Sequence, residues 1–136
     1  MSTQPIQTSG AQQVSHAIIT AAMKVHTELG PGLLESTYTA CLQYELAIAG
    51  VRSATQVGLP VVYCAVKLEL GYRIDLLAED LVVVEIKSVE AVSPVHHAQI
   101  LSYLKLSGKS IGLLINFNVV HLKDGIKRFV NGTNWK

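Results

Sequence analysis

The chain has 136 residues, 49% of them hydrophobic and 15% charged, enough for one packed core, too few for two domains and too apolar for a disordered chain. Its formal charge of +1 argues against strong, sequence-independent capture of long DNA, because such affinity is the sum of many phosphate contacts. No apolar run approaches the roughly 18 residues that cross a bilayer, and Cys41 and Cys64 show neither metal-ligand spacing nor a disulfide framework.

Residues 1–11 (MSTQPIQTSGA) are polar and carry Pro5 and Gly10, so a flexible leader is expected there, followed by a single domain over 12–136. No Lys or Arg precedes Lys24 and no long apolar core accompanies it, so a secretory signal is not expected and a reduced cytoplasm is the expected compartment. From Gln12 to Leu29, Val14, Ala17, Ile18, Ala21, Ala22, Val25 and Leu29 recur at three- and four-residue spacing, the pattern of an amphipathic helix stopped by Gly30-Pro31-Gly32. A second helix is expected from about Leu33 to Ala49, closed by Gly50. Glu35 sits at the edge of its apolar arc and Glu45 deeper within it. Glu35 falls in the first turn, where a negative charge suits the helix dipole, and Glu45 can serve a structural partner, so neither needs a functional role on periodicity alone.

Strand-like sequence follows. Gln56–Tyr63 and Val66–Tyr72 read as two strands, with Pro60 favouring an edge or bulge. Tyr72–Lys87 (YRIDLLAEDLVVVEIK) reads as an antiparallel hairpin around Ala78-Glu79-Asp80. Ser93-Pro94 starts a third helix running to about Leu106 and ending at Gly108. Ile111–Phe117 is wholly apolar and reads as a buried strand, parallel to its predecessor across the helical crossover. Lys123-Asp124-Gly125 signals a last hairpin between Val119–Leu122 and Ile126–Val130, and NGTNWK is expected to fray. The order gives an α/β domain with a mixed central sheet flanked by helices.

Asp75, Glu85 and Lys87 lie inside strands that are otherwise apolar. A buried charge is costly unless paired or bound to a cation. Glu85 and Lys87 are two apart and leave one face of their strand. In a regular hairpin with an even-numbered loop, Asp75 shares a face with Val84 rather than Glu85. A common site therefore requires an odd loop, a bulge or a bend near Asp75. On the third helix His96, Gln99 and Tyr103 share a face, which is also what an ordinary wet side looks like. His96 and His97 point about 100° apart on a helix and do not make a metal pair.

Gly32-Leu33-Leu34-Glu35-Ser36-Thr37-Tyr38 matches the signature of the GxxExxY family of small bacterial and archaeal proteins, placed in the PD-(D/E)XK nuclease superfamily. VHTELGPGLLESTY, YRIDLL, VVVEIKSVE, HHAQILSYLKLSG, IGLLINF and LKDGIKR resemble that family in order and spacing, over about Val25 to Val130. The resemblance implies a restriction-endonuclease-like core and catalytic roles for Asp75, Glu85 and Lys87, with Gln99 and Tyr103 similar to the QxxxY element of one branch. It also implies Mg²⁺ (or Mn²⁺) held by Asp75, Glu85, Glu35 and the carbonyl of Ile86. Hard carboxylate oxygens suit that ion, which neutralises phosphate charge and lowers the pKa of a bound water; Lys87 then orients the attacking water and stabilises charge.

The expectation is a metal-dependent nuclease, with DNA ahead of RNA as its nucleic-acid partner, no membrane partner, pairing into a homodimer as superfamily nucleases often do, and an unidentified partner supplying specificity. Two alternatives stand beside it: a catalytically inactive binding or scaffold module of the same fold, and a hydrolase of a small phosphate substrate. Lys123, Lys127 and Arg128 near the last hairpin read as solvated surface charge ahead of phosphate contacts, and Arg73 is not placed in the active site.

Overall fold

Apolar residues at helical spacing form α1 (Gly10–Leu29), which buries Ile18, Ala21, Ala22 and Val25. The computed structural model describes residues 10–132. Residues 1–9 of the expected leader and 133–136 of the expected frayed end lie outside them. Two residues assigned to the leader are helical instead: Gly10 packs where a Cβ would meet Leu81, and Ala11 packs on the core. Asn131, expected to fray, is tied down by hydrogen bonds to the Ser110, Leu104 and Lys109 carbonyls.

A tight loop through Gly30 and Gly32, both with positive φ, leads to α2 (Glu35–Ile48). Tyr38, Leu42 and Leu46, four apart, form its buried stripe. The hydroxyl of Tyr38 donates to the Gly30 carbonyl at 2.6 Å and accepts the Leu33 amide at 3.1 Å. Its ring stacks on Phe117 at 4.4 Å. One buried side chain thus fixes the loop that delivers Glu35.

The five-stranded sheet comprises β1 (Ser53–Gly58), β4 (Arg73–Ala78), β5 (Val82–Lys87), β6 (Ile111–Asn116) and β7 (Ile126–Val130), in the spatial order β1-β4-β5-β6-β7. Only β5 and β6 run parallel, joined through α3 (Pro94–Ser107). The helices α1 and α2 pack on one face with Leu76, Val84, Ile86 and Leu113; α3 packs on the other with Val83, Leu114 and Phe129. All six residues of β6 are buried, as a central strand covered on both faces must be. No helix among the described residues is long and apolar enough to cross a membrane.

Two expectations are corrected. Gln56–Tyr63 is not one strand: β1 ends at Gly58, and β2 (Val61–Tyr63) pairs with β3 (Val66–Leu68) in a separate two-stranded ribbon. Pro60, with no amide hydrogen to give, stands at the break. Nor is Val119–Leu122 a strand: Leu122–Gly125 is a 3-10 turn whose Leu122 is buried in the core, and β7 pairs with β6. Gly125 is required there by close approach rather than by a hairpin turn, since a Cβ would collide with the Asn116 carbonyl.

Replacing Tyr38 by Phe keeps the ring stack and removes two hydrogen bonds. A loss of about 1–2 kcal/mol in urea unfolding is expected; an unchanged midpoint would show that the hydroxyl does not hold the loop.

Candidate active site

The turn between β4 and β5 spans Glu79, Asp80 and Leu81, one residue later than expected, with Glu79 and Asp80 at φ 52° and 55°. Glu79 is anchored by the Arg52 amide at 2.7 Å and guanidinium at 3.0 Å. Three is an odd number, so the register Ala78↔Val82, Leu77↔Val83, Leu76↔Val84 brings Asp75 opposite Glu85. A bend accompanies it: Leu76 packs in the α1–α2 core but Ile74 in the α3 core, although residues two apart in a regular strand share a face. On the other side β1 skips the same place, where Gln56 has φ 53°.

The β4–β5 ladder stops at this point and the two acids take over its hydrogen bonds. The Asp75 amide donates to Glu85 Oε2 at 3.0 Å, and the Ile86 amide donates to Asp75 Oδ2 at 2.8 Å. Glu85 is 2% exposed. Burial first, and then the neighbouring Asp75 charge, push its carboxyl up to about 8. Asp75 is also raised, chiefly by burial, against the pull of the Ile86 amide and the Lys87 charge. At neutral pH the protonated form of Glu85 is therefore favoured.

Lys87 leaves β5 on the Glu85 face. Its ammonium donates to Gln99 Oε1 at 3.1 Å, and Gln99 Nε2 to the Tyr103 hydroxyl at 3.4 Å. The ammonium is thus held by α3 and is not inserted between the acids. Burial raises the Tyr103 hydroxyl, and the Glu85 and Asp75 charges add to this. Glu35 is exposed and reaches the site from α2: its carboxylate accepts the Ser88 amide at 3.2 Å, while Ser88 Oγ donates to the Leu33 carbonyl at 2.6 Å. Glu35 and Asp75 border one cleft of about 380 Å³ with Thr39, Gln43, Thr55 and Gln56.

The geometry thus gathers Asp75, Glu85, Ile86, Lys87, Gln99 and Tyr103, with Glu35 across the cleft. Among the described residues no three acidic, histidine or cysteine side chains converge on one point; the acids form a pair with a third beside it. That donor set, all oxygen and without imidazole or thiolate, fits a hard cation that keeps several of its waters. Other polar residues have separate duties. Glu45 pairs with Lys24 at 3.3 Å, His96 Nδ1 accepts the Ser93 amide at the start of α3, and His97 and Lys127 lie against Phe129.

Three neighbours escaped the sequence reading. Tyr72 meets Tyr103 edge-on at 6.4 Å, Ser88 ties Glu35 to the end of β5, and Gln56 lines the cleft. None carries a signal: Ser88 merely follows a strand, and nothing in a glutamine forecasts a positive φ.

Between pH 4.5 and about 8 the folded Glu85 holds a proton that the unfolded chain has released. The folded state then binds more protons, and metal-free stability falls as pH rises through that window. Thermal unfolding in chelator should show this decline for the wild type and a flatter profile for Glu85→Gln; parallel profiles would show that Glu85 is not the titrating group.

A family model described as the PD-(D/E)XK nuclease superfamily matches residues 12–129. No curated protein and no solved structure matches the chain. With the matched segment extending from α1 through β7 and a mixed sheet flanked by helices at its centre, the chain belongs to the PD-(D/E)XK nuclease superfamily.

Proposed function

We propose that this domain is a divalent-metal-dependent nuclease that hydrolyses phosphodiester bonds, in DNA ahead of RNA. The observation that carries the reading is the meeting of the Asp75 and Glu85 carboxylates where the ladder opens, beside a lysine held clear of them. Two adjoining buried acids, one of them favoured in its protonated form, make a place where a cation can take over the proton's role. Asp75 and Glu85 hold the ion, and Glu35 contributes from across the cleft. The Ile86 carbonyl is a further ligand, because a strand residue's amide and carbonyl leave on the same edge and the Ile86 amide points at Asp75. Mg²⁺ or Mn²⁺, when bound, supplies charge neutralisation and a water of lowered pKa.

Lys87 orients the attacking water and stabilises the charge that develops on the phosphoryl oxygens. Gln99 fixes the Lys87 ammonium, and the Tyr103 hydroxyl behind it positions the substrate backbone. Within the superfamily, Gly32, Glu35 and Tyr38 support placement with the GxxExxY family. Cytoplasmic action, and a separate partner supplying specificity to a nearly neutral chain, belong to the same proposal.

Cleavage of a panel of single-stranded, nicked, branched and duplex DNA, RNA and nucleotides tests it. Wild type with Mg²⁺ or Mn²⁺ is expected to cut at least one polymer, and Lys87→Ala to lose roughly 10²–10³-fold in rate while keeping its metal-induced rise in melting temperature. Asp75→Asn should lose both. Equal cutting by wild type and Lys87→Ala would overturn the assignment of Lys87; metal binding with no cleavage of any substrate would favour an inactive binding module.

A further inference from the structure

The ribbon formed by β2 and β3 stands apart from the five-stranded sheet and is closed by Cys64 and Ala65, both with positive φ. Its pairs are Val61↔Leu68, Val62↔Lys67 and Tyr63↔Val66. With a two-residue turn, Tyr63 and Val66 exchange main-chain hydrogen bonds, and so do Val61 and Leu68. The amide and carbonyl of Lys67 therefore point outward from β3, where among the described residues no strand pairs with them. Such an open edge is a template for another strand. Large apolar side chains crowd the same short segment: Tyr63 is 69% exposed, Val66 54% and Leu70 59%.

We infer that this edge pairs with the same edge of a second copy of the chain, antiparallel about a two-fold axis at Leu68. The segment Val66-Lys67-Leu68-Glu69-Leu70 is complementary to itself when read in opposite directions. Val66 falls opposite the partner's Leu70, and Lys67 opposite the partner's Glu69, each twice by symmetry. The backbone agrees with the charges. Lys67 presents its amide and carbonyl to the open edge, Glu69 just past the end of β3 has the same parity, and the pairing would make Leu68 the close, non-hydrogen-bonded centre. Within one chain Lys67 and Glu69 already lie 3.6 Å apart, both largely exposed. From Val61 to Tyr72 one lysine is offset by one glutamate, so the ribbon has no net charge with which to hold a phosphate polymer. The pairing is independent of the nuclease reading. Tyr72, at the foot of the ribbon, touches Tyr103, so the joined ribbons lie beside both candidate sites.

The test is the mass of the full chain by sedimentation equilibrium across micromolar concentrations, without metal. A monomer–dimer equilibrium is expected. Lys67→Glu or Glu69→Lys alone should weaken it by roughly tenfold, because like charges then face each other, and the double swap should restore it. In a Cys64→Ser background, Leu68→Cys should give a covalent dimer on mild oxidation, since the central pair lies within disulfide span, and Val62→Cys should not. Lys87→Ala should leave the mass unchanged, which separates this result from any failure of cleavage. One-chain mass at every concentration, single and double swaps that behave alike, or charge variants that alter nucleic-acid capture but not mass would each overturn the pairing.

Discussion

Everything near the sheet's opening depends on two carboxyl groups substituting for a β-ladder. Between β4 and β5 the main-chain bonds end at Leu76 and Val84, and the next two amides, those of Asp75 and Ile86, are taken by Glu85 and Asp75 side chains. Leaving those amides unpaired in a buried setting would cost about as much as a lost hydrogen bond each. Leaving two buried carboxylates ionised side by side would cost more. The arrangement offsets both costs at once, with one proton retained on Glu85, and leaves a polar opening in an otherwise dry sheet.

The rest of the molecule maintains that opening. The three-residue turn sets the register that brings the acids face to face, and Arg52 secures the turn through Glu79. Tyr38 anchors the glycine loop from which α2 presents Glu35. On the opposite face α3 holds the Lys87 ammonium through Gln99, and α3 itself begins at a fixed point because His96 caps Ser93. Residues from two helices and two strands, contributed by both faces of the sheet, converge where β4 and β5 part. A mixed sheet makes this possible: the parallel β5–β6 pair places α3 over the end of β5 while α2 covers the other side.

The near-neutral charge of the chain is consistent with this local design. Glu35, Asp75, Glu85 and Lys87 stand where the strands separate, and other charged groups form structural pairs such as Lys24–Glu45 and Arg52–Glu79. Under the proposed function, recognition would run through a bound cation and a few oriented groups rather than through a broad basic surface.

Much was legible beforehand because it is local. Helical periodicity placed α1 and α2, Ser93-Pro94 placed the start of α3, and the uninterrupted apolar run announced β6 as a buried strand. Parity alone required an odd loop or a bend if Asp75 and Glu85 were to share a site, since side chains alternate along a strand; both are present. What the chain order could not convey were relations between distant segments. The split at Pro60 into a separate ribbon, the role of Gly125 beneath Asn116, the left-handed Gln56 and the Ser88 link to Glu35 each depend on which backbone lies alongside which. The residue types of the site were set by the sequence. Their meeting, the raised carboxyl of Glu85 and the lysine held clear of the acids were decided by tertiary packing, because burial and the separation of charges exist only once the strands and helices have come together.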